Sequence, residues 1–316
     1  MRDSVGPFFQ SYGLLIAFGA LFLFFSLERL NTFPTLENMR SILTGAAPLG
    51  VMAFGLTVPM IMGDFDLSIG YHTQLLGAVA VGLMAFSHFS SAESIVATIA
   101  IAIAIGTILG SVVAWSKISA FVITLGAGIV FYGIELLVTD AKTVFKGLQP
   151  GYLSLATNTF LTFTLPVWFA LAVAVALWYV TRHTVLGRRM AAVGGNKEAA
   201  RLSGINVEFM RTAGFAMVGI TAAIAGIIIT SQAASYYPDS ASGLLIPAYA
   251  GVFLGASVLR PGEFHVWGTV IGVLFFEMIQ DGLTLMNYGA ATTNIVEGAV
   301  FIIGVLMSTI GSRGRR

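Results

Sequence analysis

The chain has 316 residues, 57% of them hydrophobic and 10% charged, with a net charge of +1 and no cysteine. Soluble domains carry about 25% charged residues, so this composition excludes a soluble enzyme and a secreted disulfide scaffold. A charge of +1 offers no footprint for nucleic acid, and without cysteine there is no thiol nucleophile and no Cys-ligated metal.

Residues 4–27, 41–63, 67–92, 94–116, 147–181 and 212–238 contain no Asp, Glu, Lys or Arg. A helical crossing of a bilayer takes about 20 apolar residues, so the chain is expected to be an all-α polytopic membrane protein, one transmembrane domain over 1–316. The pattern predicts ten crossings, near 11–28, 43–63, 69–88, 94–115, 119–138, 162–181, 212–233, 242–258, 265–281 and 291–310. The first is expected to be a crossing and not a cleavable signal, because Arg2 is offset by Asp3 and no small-residue cleavage site precedes Glu28. With both termini in the cytoplasm, twelve of the sixteen Lys and Arg fall on the inner side. Only Arg29, Arg40, Lys142 and Lys146 fall outside, as the positive-inside rule requires. Thirty-six glycines, with Pro48, Pro59, Pro166 and Pro247 in or beside crossings, predict close packing and interrupted helices. Gly63-x3-Leu67-x2-Gly70 shares its spacing with Gly255-x3-Leu259-x2-Gly262, a weak sign of internal duplication. In the turn between the second and third crossings, Gly63 and Gly70 permit a change of direction, and Asp66, ahead of Ser68, is expected to N-cap the third crossing.

Only residues 182–211 are polar and long enough for a folded cytoplasmic element. Asn196 is a suitable N-cap, Glu198 sits in the first turn, Arg201 sits near the last, and Gly204 suits the C′ position. These signals predict a helix of about seven residues, Lys197–Ser203, roughly 10 Å long. Ala199, Ala200 and Leu202 give it small and apolar contact surface. So short a helix is marginal alone, which predicts docking on a cytoplasmic partner.

The run Gly194-Gly195-Asn196-Lys197-Glu198-Ala199-Ala200-Arg201-Leu202-Ser203-Gly204-Ile205 resembles the cytoplasmic signature of ribose-type permeases of bacterial ATP-binding-cassette (ABC) importers. Asp66, Leu67, Ser68 and Gly70 resemble the family's Gly-x-Ile-Asp-Leu-Ser-Val-Gly. Phe121–Gly126 and Trp267–Gly272 resemble two further family segments, so the likeness runs in order over about 45–310. Asp64 and Phe65 depart from it, standing where the family usually has Gly and Ile, and 254–263 replaces a loop richer in Gly and Ser. The resemblance implies a multi-pass protein of the bacterial inner membrane that moves a monosaccharide, polyol or related small polar solute. It implies three partners: an ABC ATPase subunit that holds ATP and Mg, a substrate-binding protein, and a second permease copy. It implies that 194–204 couples to the ATPase.

The chain's own residues agree with that division of labour. None of its four lysines follows a glycine, so no P-loop exists to hold a nucleotide. His72, His88, His183 and His265 lack metal-ligand spacing; His72 is read as packed or pore-lining and the others as interfacial. A secondary carrier or channel would instead use Glu135, Glu277 and Glu297, and a membrane enzyme would need a catalytic constellation that is not found. For the solute route, Phe276 with Phe275, Gln280, Asp281, Asn287 and Asn294 offer amides and aromatic walls near the outer end of the ninth crossing. Glu277, Gln280 and Asp281 share one helical face. The resembled family also carries paired polar amides before Gly282-Leu283. The alternative is that these groups only bond neighbouring helices.

Overall fold

The computed structural model describes residues 5–313, with side chains described over 12–306. Arg2, Arg315 and Arg316, part of the expected inner charge, lie outside the described residues. The helices in chain order are α1 (Val5–Glu28), α2 (Leu36–Ile61), α3 (Ile69–Ala85), α4 (Ser91–Trp115), α5 (Ala120–Thr139), α6 (Pro150–Thr157), α7 (Leu165–His183), α8 (Val185–Gly195), α9 (Lys197–Leu202), α10 (Val207–Gln232), α11 (Leu245–Gly255), α12 (Val266–Leu285) and α13 (Ala290–Arg313). A two-stranded antiparallel hairpin, β1 (Thr159–Phe160) and β2 (Phe163–Thr164), leads into α7.

Among the described residues, six helices, α2, α4, α5, α7, α10 and α12, are long and apolar enough to cross a membrane, and 12–28, 69–85, 242–255 and 290–306 are shorter apolar helical stretches. Together they occupy the ten expected positions. The eighth differs in kind, because α11 has 11 residues. At 1.5 Å per residue it spans about 17 Å, against roughly 30 Å of hydrocarbon. Pro247, Ala248, Tyr249, Ala250, Gly251 and Val252 are all buried, so α11 is an interior helix and its apolar composition reflects protein neighbours, not lipid.

The prolines do not interrupt the helices as expected. Helix α2 runs unbroken through Pro48 and Pro59. Pro166 and Pro247 stand in first turns, where the missing N–H costs nothing. Pro48 deprives the carbonyl of Thr44 of its helical donor, and Gln232 Nε2 at the end of α10 supplies one at 3.1 Å.

Helix α10 is central, packed against α4, α2 and α3, while α11 and α12 form a second pair that leans on α2. Of α2's spanning stretch 78% is buried, against 17% of α7's, which separates interior helices from those that face lipid or another copy. The α4–α10 approach depends on glycine: a Cβ on Gly219 would stand 2.3 Å from the Ala102 carbonyl oxygen. The duplicated Gly-x3-Leu-x2-Gly spacing is not a repeated turn. The first copy has one left-handed residue, its first glycine, Gly63 (φ +76), whereas the other has two, Leu259 (φ +60) and its last glycine, Gly262 (φ +85).

Candidate functional site

The polar segment between α7 and α10 holds two helices where the sequence predicts one. Thr184 Oγ1 accepts the Gly187 N–H at 3.2 Å and starts α8. Met190 and Val193 then bury on the same side as α2's Met62. Arg188 and Arg189 obscured α8 in the sequence; the signal for it was the Thr184 cap followed by Leu186, Met190 and Val193 at helical spacing.

Helix α9 forms as its caps dictate. Asn196 Oδ1 accepts the Ala199 N–H at 2.9 Å. At the other end Gly204 takes φ +80. Its N–H bonds to Arg201 O and that of Ile205 to Ala200 O, each at 3.0 Å, the paired bonds of a Schellman end. The helix stops at Leu202, with Ser203 as its C-cap. Arg201 reaches Glu198 at 2.8 Å and Glu208 of α10 at 2.5 Å. Ala200 is not contact surface, as the sequence suggested: it is 4% exposed and packs with Met62, Met190 and Ile205. The outward face belongs to Leu202, 89% exposed, with Ala199 and Glu198 beside it. Gly194 seats the whole segment on α2, since a Cβ there would lie 1.9 Å from the Ile61 carbonyl oxygen; Gly195 meets nothing within 4 Å.

The turn between α2 and α3 meets this segment directly. Gly63 turns the chain out of α2 in the left-handed region. Asp64, which departs from the resembled motif, is 4% exposed. Its Oδ1 accepts Lys197 Nζ at 2.8 Å and Arg211 Nη2 at 3.0 Å, and its Oδ2 accepts Arg211 Nε at 2.6 Å. Asp66 does not cap α3 as expected. Its Oδ1 accepts both the N–H (2.8 Å) and the hydroxyl (2.5 Å) of Ser68, closing the turn two residues ahead of it, and Ser68 is the N-cap without a side-chain bond. Burial pushes the Asp66 carboxyl up to about 6, against the lowering pull of the Ser68 donors. The Asp66 backbone exchanges bonds with the Tyr249 hydroxyl of α11 at 2.8 and 3.0 Å, and Leu67 N–H donates to Thr124 of α5 at 3.0 Å. Gly70 lies inside α3, where a Cβ would stand 3.4 Å from the backbone of Ala241 and Ser242.

The groups expected to line a solute route are not gathered into one wall. Phe276 is buried in the main core. Asp281 accepts Asn38 Nδ2 of α2 at 2.8 Å, a helix-to-helix bond. Asn287 turns the chain between α12 and α13 at φ 60. Gln280 and Asn294 are exposed. His265 is no mere interfacial residue: its Nδ1 accepts the Gly268 N–H at 2.9 Å as N-cap of α12, and its Nε2 meets Val258 O at 3.1 Å. His72 is packed, buried against Phe131.

The sequence matches the family described as "Branched-chain amino acid transport system / permease component" over residues 38–305. It is 32% identical over 280 residues to the ribose import permease protein RbsC of Escherichia coli K12, covering 87% of this chain and 86% of that protein. It is 28% identical to the D-allose transport system permease protein AlsC of the same strain (97% and 94% covered). Against the autoinducer 2 import system permease protein LsrC of Salmonella choleraesuis the identity is 32% (86% and 78% covered). No solved structure matches. The match spans most of the chain, and the apolar helices suit a membrane-spanning subunit. The chain therefore belongs to this permease family of bacterial ABC importers, as a multi-pass transport subunit of the inner membrane and not an enzyme.

Proposed function

We propose that this permease carries a monosaccharide or a related hydroxyl-rich solute into the cytoplasm. A substrate-binding protein delivers the solute, and a separate ATPase subunit holds ATP and Mg. The permease works as a pair of identical copies, and α9 is the element that docks on the ATPase. One observation carries the coupling role: a six-residue helix, capped at both ends, rests on the bundle through Ala200 and turns Leu202 outward. The relatives named for ribose and D-allose support the sugar class. Within the route, Gln280 and Asn294 are the working contacts, since an exposed amide both donates to and accepts from sugar hydroxyls. Phe276, Asp281 and Asn287 support the helices around them.

Leu202→Glu should abolish co-purification of the ATPase subunit and uptake in the complete importer, while the permease itself stays monodisperse. Gly204→Pro should weaken both by removing the left-handed C′ residue. Unchanged co-purification and uptake in both variants would reject the docking role. Uptake by the purified chain alone under an ion gradient would favour a secondary carrier working through Glu135, Glu277 and Glu297.

A further inference from the structure

Asp64 sits where the outward-facing segment and the membrane bundle meet. Lys197 is the first residue of α9, and Arg211 lies in the second turn of α10. A single carboxylate gathers both cations, with Arg211 bound through two nitrogens. Among the described residues, Lys197–Asp64 is the only ion pair joining α9 to the α2–α3 turn. The remaining ion pairs of α9 stay within its own neighbourhood, on Glu198 and Glu208.

The turn is held from the other side just as directly. Within four residues of Asp64 it is bonded to α11 through Tyr249 and to α5 through Thr124, and it closes onto α3 through Asp66 and Ser68. A displacement of α9 therefore has a short path, through one carboxylate, to the ends of α2, α3, α5 and α11. A cavity of about 330 Å³, lined by Asp64, Lys117, Lys197 and Arg211 among others, opens beside the cluster and leaves room for α9 to shift. Lys197 donates a charge-assisted hydrogen bond at 2.8 Å to a carboxylate that is itself buried and held in place by Arg211, so the contact is short, directional and fixed at the bundle end. The link thus pulls as well as pushes, which apolar contact through Ala200 does not do.

We infer that Asp64 is a positioning residue for transport: a latch that transmits the movement of α9 to the α2–α3 turn. The inference rests on α9 being the docking helix, and the experiment separates the two claims. The chain has no cysteine, so single engineered cysteines report without background. Ser203→Cys would report α9, and Phe65→Cys would report the turn. Each is combined with Asp64→Asn or, separately, Lys197→Met, whose side chain is 39% exposed and whose loss spares the Arg211–Asp64 pair. Maleimide labelling rates are compared with and without vanadate-trapped Mg·ATP on the bound ATPase subunit.

With Asp64 and Lys197 intact, both cysteines should change rate on trapping. In the latch variants the Ser203→Cys response should persist, while the Phe65→Cys response falls by about fivefold or more, the scale of a typical coupling between sites. Asp64→Glu should restore part of it. A Phe65→Cys response that survives in Lys197→Met, or one absent even with the latch intact, overturns the latch. A Ser203→Cys site that never responds, in any background, overturns the docking reading instead. A merely structural role for Asp64 would lower the amount of assembled complex without changing the ratio of the two responses, and that too overturns the inference.

Discussion

The two ends of this permease treat polar side chains in opposite ways. Where α8 and α9 meet the α2–α3 turn, Asp64, Asp66 and Ser68 are buried and each bonds a named donor or acceptor. At the end where α12 passes into α13, Gln280, Asn287 and Asn294 face outward, and only Asp281, half-buried, reaches another helix through Asn38. Buried polar groups must find partners inside the protein, so those at the first end report how its elements are joined. Exposed amides carry no such obligation. Burial, not residue type, separates the polar groups that join helices from those left without a structural task.

The sharpest way to break this contrast is at adjacent glycines. Gly194→Leu sets a side chain against the Ile61 carbonyl, which cannot move without shifting the end of α2. It should cost on the order of 3 kcal/mol and abolish monodisperse protein in detergent. Gly195→Ala, with nothing within 4 Å, should stay within about 0.5 kcal/mol of the parent in thermal unfolding. Equal losses would mean the segment is not seated on α2.

A second pair tests the end where α12 passes into α13. Asp281→Leu removes the acceptor for Asn38 and should lower stability by about 1–2 kcal/mol. Gln280→Leu and Asn294→Leu should leave unfolding unchanged and lower uptake by the assembled importer. If both leave uptake intact, the route lies elsewhere in the bundle.

The turn gives a smaller contrast. Asp66→Asn keeps an oxygen for the two Ser68 donors and removes a carboxyl already shifted toward neutrality, so it should be mild. Asp66→Leu leaves a buried N–H unpaired and should cost about 2 kcal/mol in the same unfolding assay. Equal effects would mean that the Ser68 bonds contribute little.

The sequence made some of these features legible, for physical reasons. Helix positions follow from apolar length, which the bilayer fixes, and the ends of α9 follow from caps that act within three residues. The half-length of α11 was hidden because an apolar residue surrounded by protein has the same composition as one facing lipid. Ala200 and Leu202 both offered apolar surface, and only the packing of Met62 and Met190 decides which is turned inward. Asp64 stood out in the sequence as a departure from the resembled motif, but its partners lie 133 and 147 residues away. No local pattern selects Lys197 and Arg211 from the other cations.

The last contrast concerns acid. His265 fills two roles at the start of α12, accepting from Gly268 N–H through Nδ1 and donating from Nε2–H to Val258 O, and only the neutral ring does both. Burial, the largest influence, lowers its pKa below the ordinary histidine value. The sign follows. The contribution of this cap is complete above about pH 6.5, where the unfolded histidine is already neutral, and fades as pH falls through that value toward the folded pKa. Between pH 8 and pH 5 the parent should therefore lose more stability than His265→Asn, which keeps a capping oxygen and does not titrate. The two are compared by thermal unfolding, with hydrogen exchange over 256–264 to localise the change. Carboxylates elsewhere contribute equally to both proteins and cancel in the difference. Parallel pH profiles would show that the ring's protonation does not matter, and that the loop between α11 and α12 is held by its backbone bonds alone.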